Sequence, residues 1–217
     1  MSSRRIALLA MTAVLGSACA EKVTTTQDRS AAIRVINASN VPFDVLVDGA
    51  VAVTSLGVAT ISAPVPLSAG AHEIGLRVGS AMSSVPTQTL DGQTATIVGV
   101  SGGLGASASV LVDTGSVVPA GKSKLRVVNL FGGAAPIEIW RTQPDYQTPI
   151  HIMTPFAYLA TSPYLQSDPG GWEVFVTSPG SFTKVATTGT VPVPAGERRT
   201  VVLLDSTGVM KFRVITE

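Results

Sequence analysis

The chain has 217 residues, 45% hydrophobic and 13% charged, which is enough apolar material for a core and excludes a disordered chain. Arg4 and Arg5 sit in an N-terminal leader without acids, so the remainder sets 13 bases against 14 acids. A balance this near zero excludes a protein held to nucleic acid by its charge.

Residues 1–20 have the layout of a secretory signal: two arginines, the apolar run Ile6 to Leu15, then small residues. The run is shorter than the roughly 20 apolar residues that a spanning helix needs. Leu15-Gly16-Ser17-Ala18-Cys19 resembles the lipobox of bacterial lipoproteins, in which the cysteine is acylated and becomes the mature N-terminus; Gly16 stands where that motif usually has Leu. Ala18-Cys19-Ala20 is also an A-x-A site for ordinary signal peptidase, and the two cleavages stay open. Cys19 is the one cysteine of the chain, so it has no internal disulfide partner. The polar stretch 21–30 reads as a tether. The expectation is lipidation at Cys19, a membrane partner reached through that anchor, and an outer-membrane or surface location, with periplasmic or secreted as the alternative.

Beyond the leader the chain repeats itself. Arg34-Val35-Ile36-Asn37 returns as Arg126-Val127-Val128-Asn129, an offset of 92. His72-Glu73-Ile74 answers Trp172-Glu173-Val174 at 100, and Gly92-Gln93 answers Gly196-Glu197 at 104. An offset of this length, growing by insertions, is one domain used twice.

In the first copy, 31–113, Phe43, Val45 and Val47 alternate with Asp44 and Leu46, and Asp48-Gly49 supplies a tight turn, so a hairpin is expected. Asp44 and Asp48 raise the question of a cation site, but no further acids gather around them and a solvated face explains them better. Pro64 and Pro66 mark an edge, and Leu90-Asp91-Gly92-Gln93 is a second turn feeding the strand from Thr94 to Val100. Seven or eight short strands at this spacing suit a β-sandwich.

These residues, Arg34 to Ser39, Val45 to Gly49, Leu67 to Gly70 and Leu90 to Gly99, resemble the bacterial exported domain of unknown function 4397. The resemblance implies an immunoglobulin-like or transthyretin-like antiparallel sandwich, often in tandem, in secreted or lipid-anchored proteins. Its motifs are strand and turn residues and imply no chemistry. Thr94-Ala95-Thr96 lacks the tyrosine that the family usually has there.

Residues 114–123 read as a linker short enough to bring two domains into contact, and 124–217 as the second copy. Phe43 is the only aromatic residue before that linker, whereas both tryptophans, all three tyrosines and five phenylalanines lie after it. Exposed Trp140, Tyr146 and Trp172 would make a carbohydrate- or peptide-binding surface; the plainer reading is a core filled with larger side chains. Arg141 to Thr154 carries extra residues and is expected to be an exposed loop.

Gly99-Val100-Ser101-Gly102-Gly103 matches a nucleophile elbow, with Asp145 and His151 later in hydrolase order. An elbow needs a helix after the serine, but Ser101 leads into Gly-Gly-Leu-Gly-Ala-Ser, which makes chance the better explanation. The two histidines, His72 and His151, lie in different copies without clustered ligands. The expectation is therefore an all-β, non-catalytic envelope protein without metal or cofactor, with a structural or adhesive role. A glycan or protein partner, and a hydrolase built on Ser101, are the alternatives.

Overall fold

The computed structural model describes residues 30–102, 105–111, 117–133, 135–143 and 149–217. The leader with Cys19, the tether up to residue 29, Asp145 and Tyr146 lie outside them. The described chain is all-β and forms sandwich-like domains from four sheets.

The first half supplies β1 (Ser30–Ala38), β2 (Phe43–Val47), β3 (Ala50–Leu56), β4 (Thr60–Ile61), β5 (Val65–Ser68), β6 (Gly70–Val78), β7 (Ala81–Thr89), β8 (Thr94–Gly102) and β9 (Gly105–Leu111). One sheet runs β4-β1-β8-β9, with β5 also on β1, and the other runs β3-β2-β6-β7. The second half supplies β10 (Ser123–Leu130), β11 (Glu138–Thr142), β12 (Ile150–Met153), β13 (Leu165–Ser167), β14 (Gly170–Thr177), β15 (Lys184–Val193), β16 (Arg198–Ser206) and β17 (Val209–Thr216). Its sheets run β13-β10-β16-β17 and β12-β11-β14-β15.

Strand pairing is antiparallel except at one place in each half, where β1 runs parallel to β8 and β10 parallel to β16. One parallel pair in each half is thus set into the expected antiparallel sandwich. Parallel neighbours need a long crossover, and in both halves that crossover contains the whole opposite sheet.

The repeat seen in the sequence is a repeat of register. Arg34 pairs with Thr96 and Ile36 with Val98, while Arg126 pairs with Thr200 and Val128 with Val202. Gly70 and Gly170 open β6 and β14 with φ of 150° and 149°. The Asp48-Gly49 turn has φ of 50° and 83°, the pair of positive values that a type I′ hairpin needs.

Each half has its own core: Ile33, Val35, Phe43, Ile74 and Leu76 in the first, and Leu125, Val127, Ile139, Trp172 and Val174 in the second. A third cluster joins the halves. Ile36, Ala38 and Val98 of β1 and β8 pack with Val128, Leu130, Val202 and Leu204 of β10 and β16. The two sheets carrying β1 and β10 are thus inner layers and the other two outer layers, in a stack of four. Strands covered on both faces read as near-continuous apolar runs, which is why Thr200 to Leu204 is almost unbroken hydrophobic sequence. Burying a Val or Leu side chain contributes about 1.5–3 kcal/mol, so this interface binds the halves strongly.

Part of the segment expected as a loop is strand. Ile150–Met153 forms β12 on the edge beside β11, and Arg141 is a buried strand residue, 9% exposed. Its guanidinium donates to Ser167 Oγ and to Gln166 O, and lies 5.0 Å from the centroid of the Trp172 ring.

Candidate functional site

The polar residues that both copies share are the first place to look for chemistry. Asn37 Nδ2 donates to Val41 O and Leu56 O at 2.9 and 2.8 Å, and its Oδ1 accepts from Ser39 N. Asn129 Nδ2 donates to Phe156 O and Ala157 O, and its Oδ1 accepts from Phe131 N. Ser62 Oγ accepts from Val35 N, and Ser162 Oγ from Val127 N. All four side chains are buried. They satisfy backbone groups where the chain leaves the ladder, groups that would otherwise cost about 1–3 kcal/mol each. The serine pair is not legible in the sequence, because a lone Ser 100 residues from its counterpart carries no pattern.

The repeated arginines diverge. Arg126 is 2% exposed, and its Nε donates to Thr200 Oγ1 while Nη2 reaches Glu217 Oε1 at 3.1 Å. Its guanidinium lies 4.5 Å from the centroid of the Tyr164 ring, and the Tyr164 hydroxyl donates to the other Glu217 oxygen. Burial, and next the hydrogen bond to Glu217, hold that phenol well above the usual tyrosine range. Arg34 is half-buried and reaches Thr216 O at 3.4 Å across the interface; burial pulls its guanidinium below its ordinary value, against the pull of Glu217.

The aromatic residues of the second half separate into core and surface. Trp172, expected among the ligand contacts, is 5% exposed and belongs to the second core, with Nε1 donating to Asp168 O. That placement corrects the expectation, since a β14 side chain of this parity points between the sheets. Trp140 stands on the outer face of β11, flanked by His151 of β12 at 4.6 Å and Phe175 of β14 at 6.4 Å between ring centroids. Its Nε1 donates to Thr177 Oγ1. Lys184 Nζ covers Phe175 at 4.7 Å and also pairs with Glu173. Phe182, in the turn before β15, rests on Trp140 at 5.4 Å and is 73% exposed. The open ring of this surface is therefore Phe182, which strand periodicity does not single out because it lies in a turn.

Ser101 is the last residue but one of β8, and its hydroxyl bonds to Asn40: Asn40 N donates to it at 3.1 Å, and it donates to Asn40 Oδ1 at 3.3 Å. His151 belongs to the second outer sheet, with the second inner sheet lying between. The structure does not bring the two together, and β8 runs on into a hairpin with β9 instead of the helix that an elbow requires. Asp44 accepts from Ser55 N and Arg77, and Asp48 from Glu73 N and His72 Nδ1. Among the described residues, no three His, Cys, Asp or Glu side chains stand together as a metal site.

No curated protein matches the chain in sequence. Among solved structures, a candidate cell adhesion protein of Bacteroides fragilis NCTC 9343 is similar at 13% identity, with 96% of this chain and 93% of that one covered. The TM-score is 0.26, too low for the similarity to bear on architecture or function. The family model named "Domain of unknown function (DUF4397)" matches residues 31–140, from β1 through the first half and on to β11. That stretch is just over half of the 217 residues, and the chain belongs to this family.

Proposed function

We propose that the protein is an exported, non-catalytic component of the cell envelope, anchored by lipid on Cys19, whose two sandwiches act together as a structural or adhesive unit. The observation that carries this reading is what the duplication retained. Asn37 and Asn129, and Ser62 and Ser162, are buried in both copies and hold backbone, so these retained polar groups serve the fold. The leader and the tether support export. The test is Cys19→Ser with cell fractionation, together with globomycin, which blocks lipoprotein signal peptidase. Membrane association should be lost in the variant and processing should stall with the drug. Unchanged processing to a mature chain that starts at Glu21 would refute the anchor.

A second reading, a carbohydrate- or peptide-binding surface on the second outer sheet, is favoured by Phe182 held open on Trp140. Aromatic side chains with a polar surround are common anchors for such partners. Glycan or peptide titrations followed by tryptophan fluorescence, with Phe182→Ala as control, test it. A signal that is the same in the variant would remove this surface from consideration.

A further inference from the structure

The two halves keep one acidic position and differ in what neutralises it. In the first outer sheet Asp44 on β2 pairs across the ladder with Arg77 on β6, and in the second Glu138 on β11 pairs with Thr177 on β14. The neighbouring pairs correspond as well, Leu46 with Gly75 and Trp140 with Phe175. Arg77 closes on one Asp44 oxygen through Nη2 at 2.7 Å and Nε at 3.3 Å, a charge-assisted contact that balances the acid. Thr177 brings no charge. Among the described residues the Glu138 oxygens accept from neutral groups alone: Thr154 Oγ1 at 3.2 Å, Gly180 N at 3.3 Å and Thr177 Oγ1 at 3.5 Å. Lys184, opposite Thr177 on β15, gives its Nζ to the two oxygens of Glu173, each at 2.8 Å. The second half thus has the acid without the guanidinium.

What stands beside Glu138 suits the missing group. Trp140 follows on the same face of β11, and Phe182 rests on it at 5.4 Å between ring centroids, with the planes 51° apart. Glu138 holds the turn that carries Phe182, because its Oε1 accepts from Gly180 N. Thr177 ties ring to acid: its Oγ1 accepts from Trp140 Nε1 at 3.1 Å and donates to Glu138 Oε2. A carboxylate beside two tilted rings complements a flat, weakly hydrated cation. A guanidinium stacks on an aromatic face and donates in its own plane to a carboxylate, whereas an ammonium is compact and strongly hydrated. A divalent metal ion needs several oxygen ligands, and no three acidic, imidazole or thiol side chains stand together among the described residues.

We propose that Glu138, Trp140 and Phe182 bind an arginine side chain of a partner protein, its guanidinium taking beside Glu138 the place that Arg77 holds beside Asp44. This rests on the reading of the second outer sheet as a peptide-binding surface and names the side chain it takes. The test is titration of the purified protein at low salt with a short glycine peptide that carries one arginine, one lysine or one citrulline. Binding is followed by the fluorescence of Trp140, with Trp140→Phe to subtract the signal of Trp172. A saturable response to the arginine peptide is expected. Citrulline, which has nearly the same shape without the charge, should bind about tenfold more weakly or worse, with lysine between the two. Glu138→Gln keeps an acceptor for Gly180 N and removes the charge, so it should weaken the arginine peptide by about tenfold. Phe182→Ala should weaken it by about threefold or more, and both variants should keep the parent's circular dichroism and melting temperature. Equal binding of the arginine and citrulline peptides overturns the proposal, as does a folded Glu138→Gln that binds like the parent. No response to the arginine peptide also overturns it. In that case a glycan response that Phe182→Ala abolishes would leave the surface itself standing, whereas silence toward both would remove the surface together with the proposal.

Discussion

The two halves are built on one scaffold and finished differently. Inside, the correspondence is close: Asn37 and Asn129 hold the same turn, Leu56 and Phe156 offer their carbonyls to them, and Ala59 and Leu159 take φ of 53° and 64° in the same place. Outside, it fails. Gly75 occupies the position of Phe175, and Leu46, its partner across the ladder, that of Trp140. At Gly75 a Cβ would already touch Leu46 and Met82 at 3.4 Å, so the first outer face is small and tightly filled where the second is aromatic. Since the first copy folds without these rings, the second outer face carries more than the fold requires.

The strongest way to break the comparison is at the layer the halves share. Val202 is fully buried between the inner sheets, so Val202→Asp places an unpaired charge there. It should cost more than about 4 kcal/mol or prevent folding. Val214→Asp, 43% exposed on β17, should cost about 0.5 kcal/mol or less in urea unfolding. Similar costs for the two would mean that the interface does not form in solution.

A substitution that makes one half resemble the other is the next largest. Gly99 pairs with Asn37 where Leu203 pairs with Asn129. A Cβ at Gly99 would meet the Phe43 ring at 2.6 Å and Leu76 at 2.8 Å. Gly99→Leu should therefore cost about 3 kcal/mol through overpacking. In a Phe43→Ala background the same change should be partly compensated, with a coupling of about 0.5–3 kcal/mol. Strict additivity would show that the two residues do not share the space.

The paired asparagines sharpen the likeness instead. Asn37→Ala and Asn129→Ala should each cost about 2 kcal/mol, because each frees two backbone carbonyls from a buried donor. A difference between them larger than about 1 kcal/mol would separate the two turns energetically.

The pH response should reside in the first half, where His72 replaces Trp172. His72 Nδ1 sits 2.7 Å from Asp48 Oδ2, and this hydrogen bond raises the imidazole above its ordinary 6.5. Asp48 is held below its ordinary 3.8 by the amide of Glu73 and by His72. The raised histidine contributes stability that is complete below about 6.5 and lost as pH rises through its folded value; the lowered aspartate contributes above about 3.8 and loses it as pH falls. The pair is thus fully effective between roughly pH 4 and 6.5. His72→Gln should flatten the decline in melting temperature above that window, and an unchanged profile would remove the pair as its source. Smallest of all, Phe182→Ala should change stability by about 0.5 kcal/mol or less, as an exposed turn residue does.

Much of the fold is legible without coordinates. The Arg-Val-x-Asn pair locates β1 and β10, Asp48-Gly49 locates the first hairpin, and Pro64 with Pro66 marks the edge that β4 and β5 occupy. The fates of the aromatics are not legible. Trp140 and Trp172 both alternate correctly for strands, but which face each takes depends on strand pairing: Trp140 pairs with Phe175 on the outer face, and Trp172 with Val191 on the core face.

By itself the sequence determined the local and periodic features: an all-β chain, a duplicated unit, its turns, and a near-zero charge. Those come from backbone preferences and side-chain period, which act over a few residues. Only the tertiary structure decided that β1 and β10 lie parallel to β8 and β16, and that the halves join through their inner sheets. Each of these depends on which surfaces meet across 60 or more residues of chain, as Arg34 with Thr96 and Arg126 with Thr200 do. Burial on both faces of a strand is a property of its neighbours, and no window along the chain contains them.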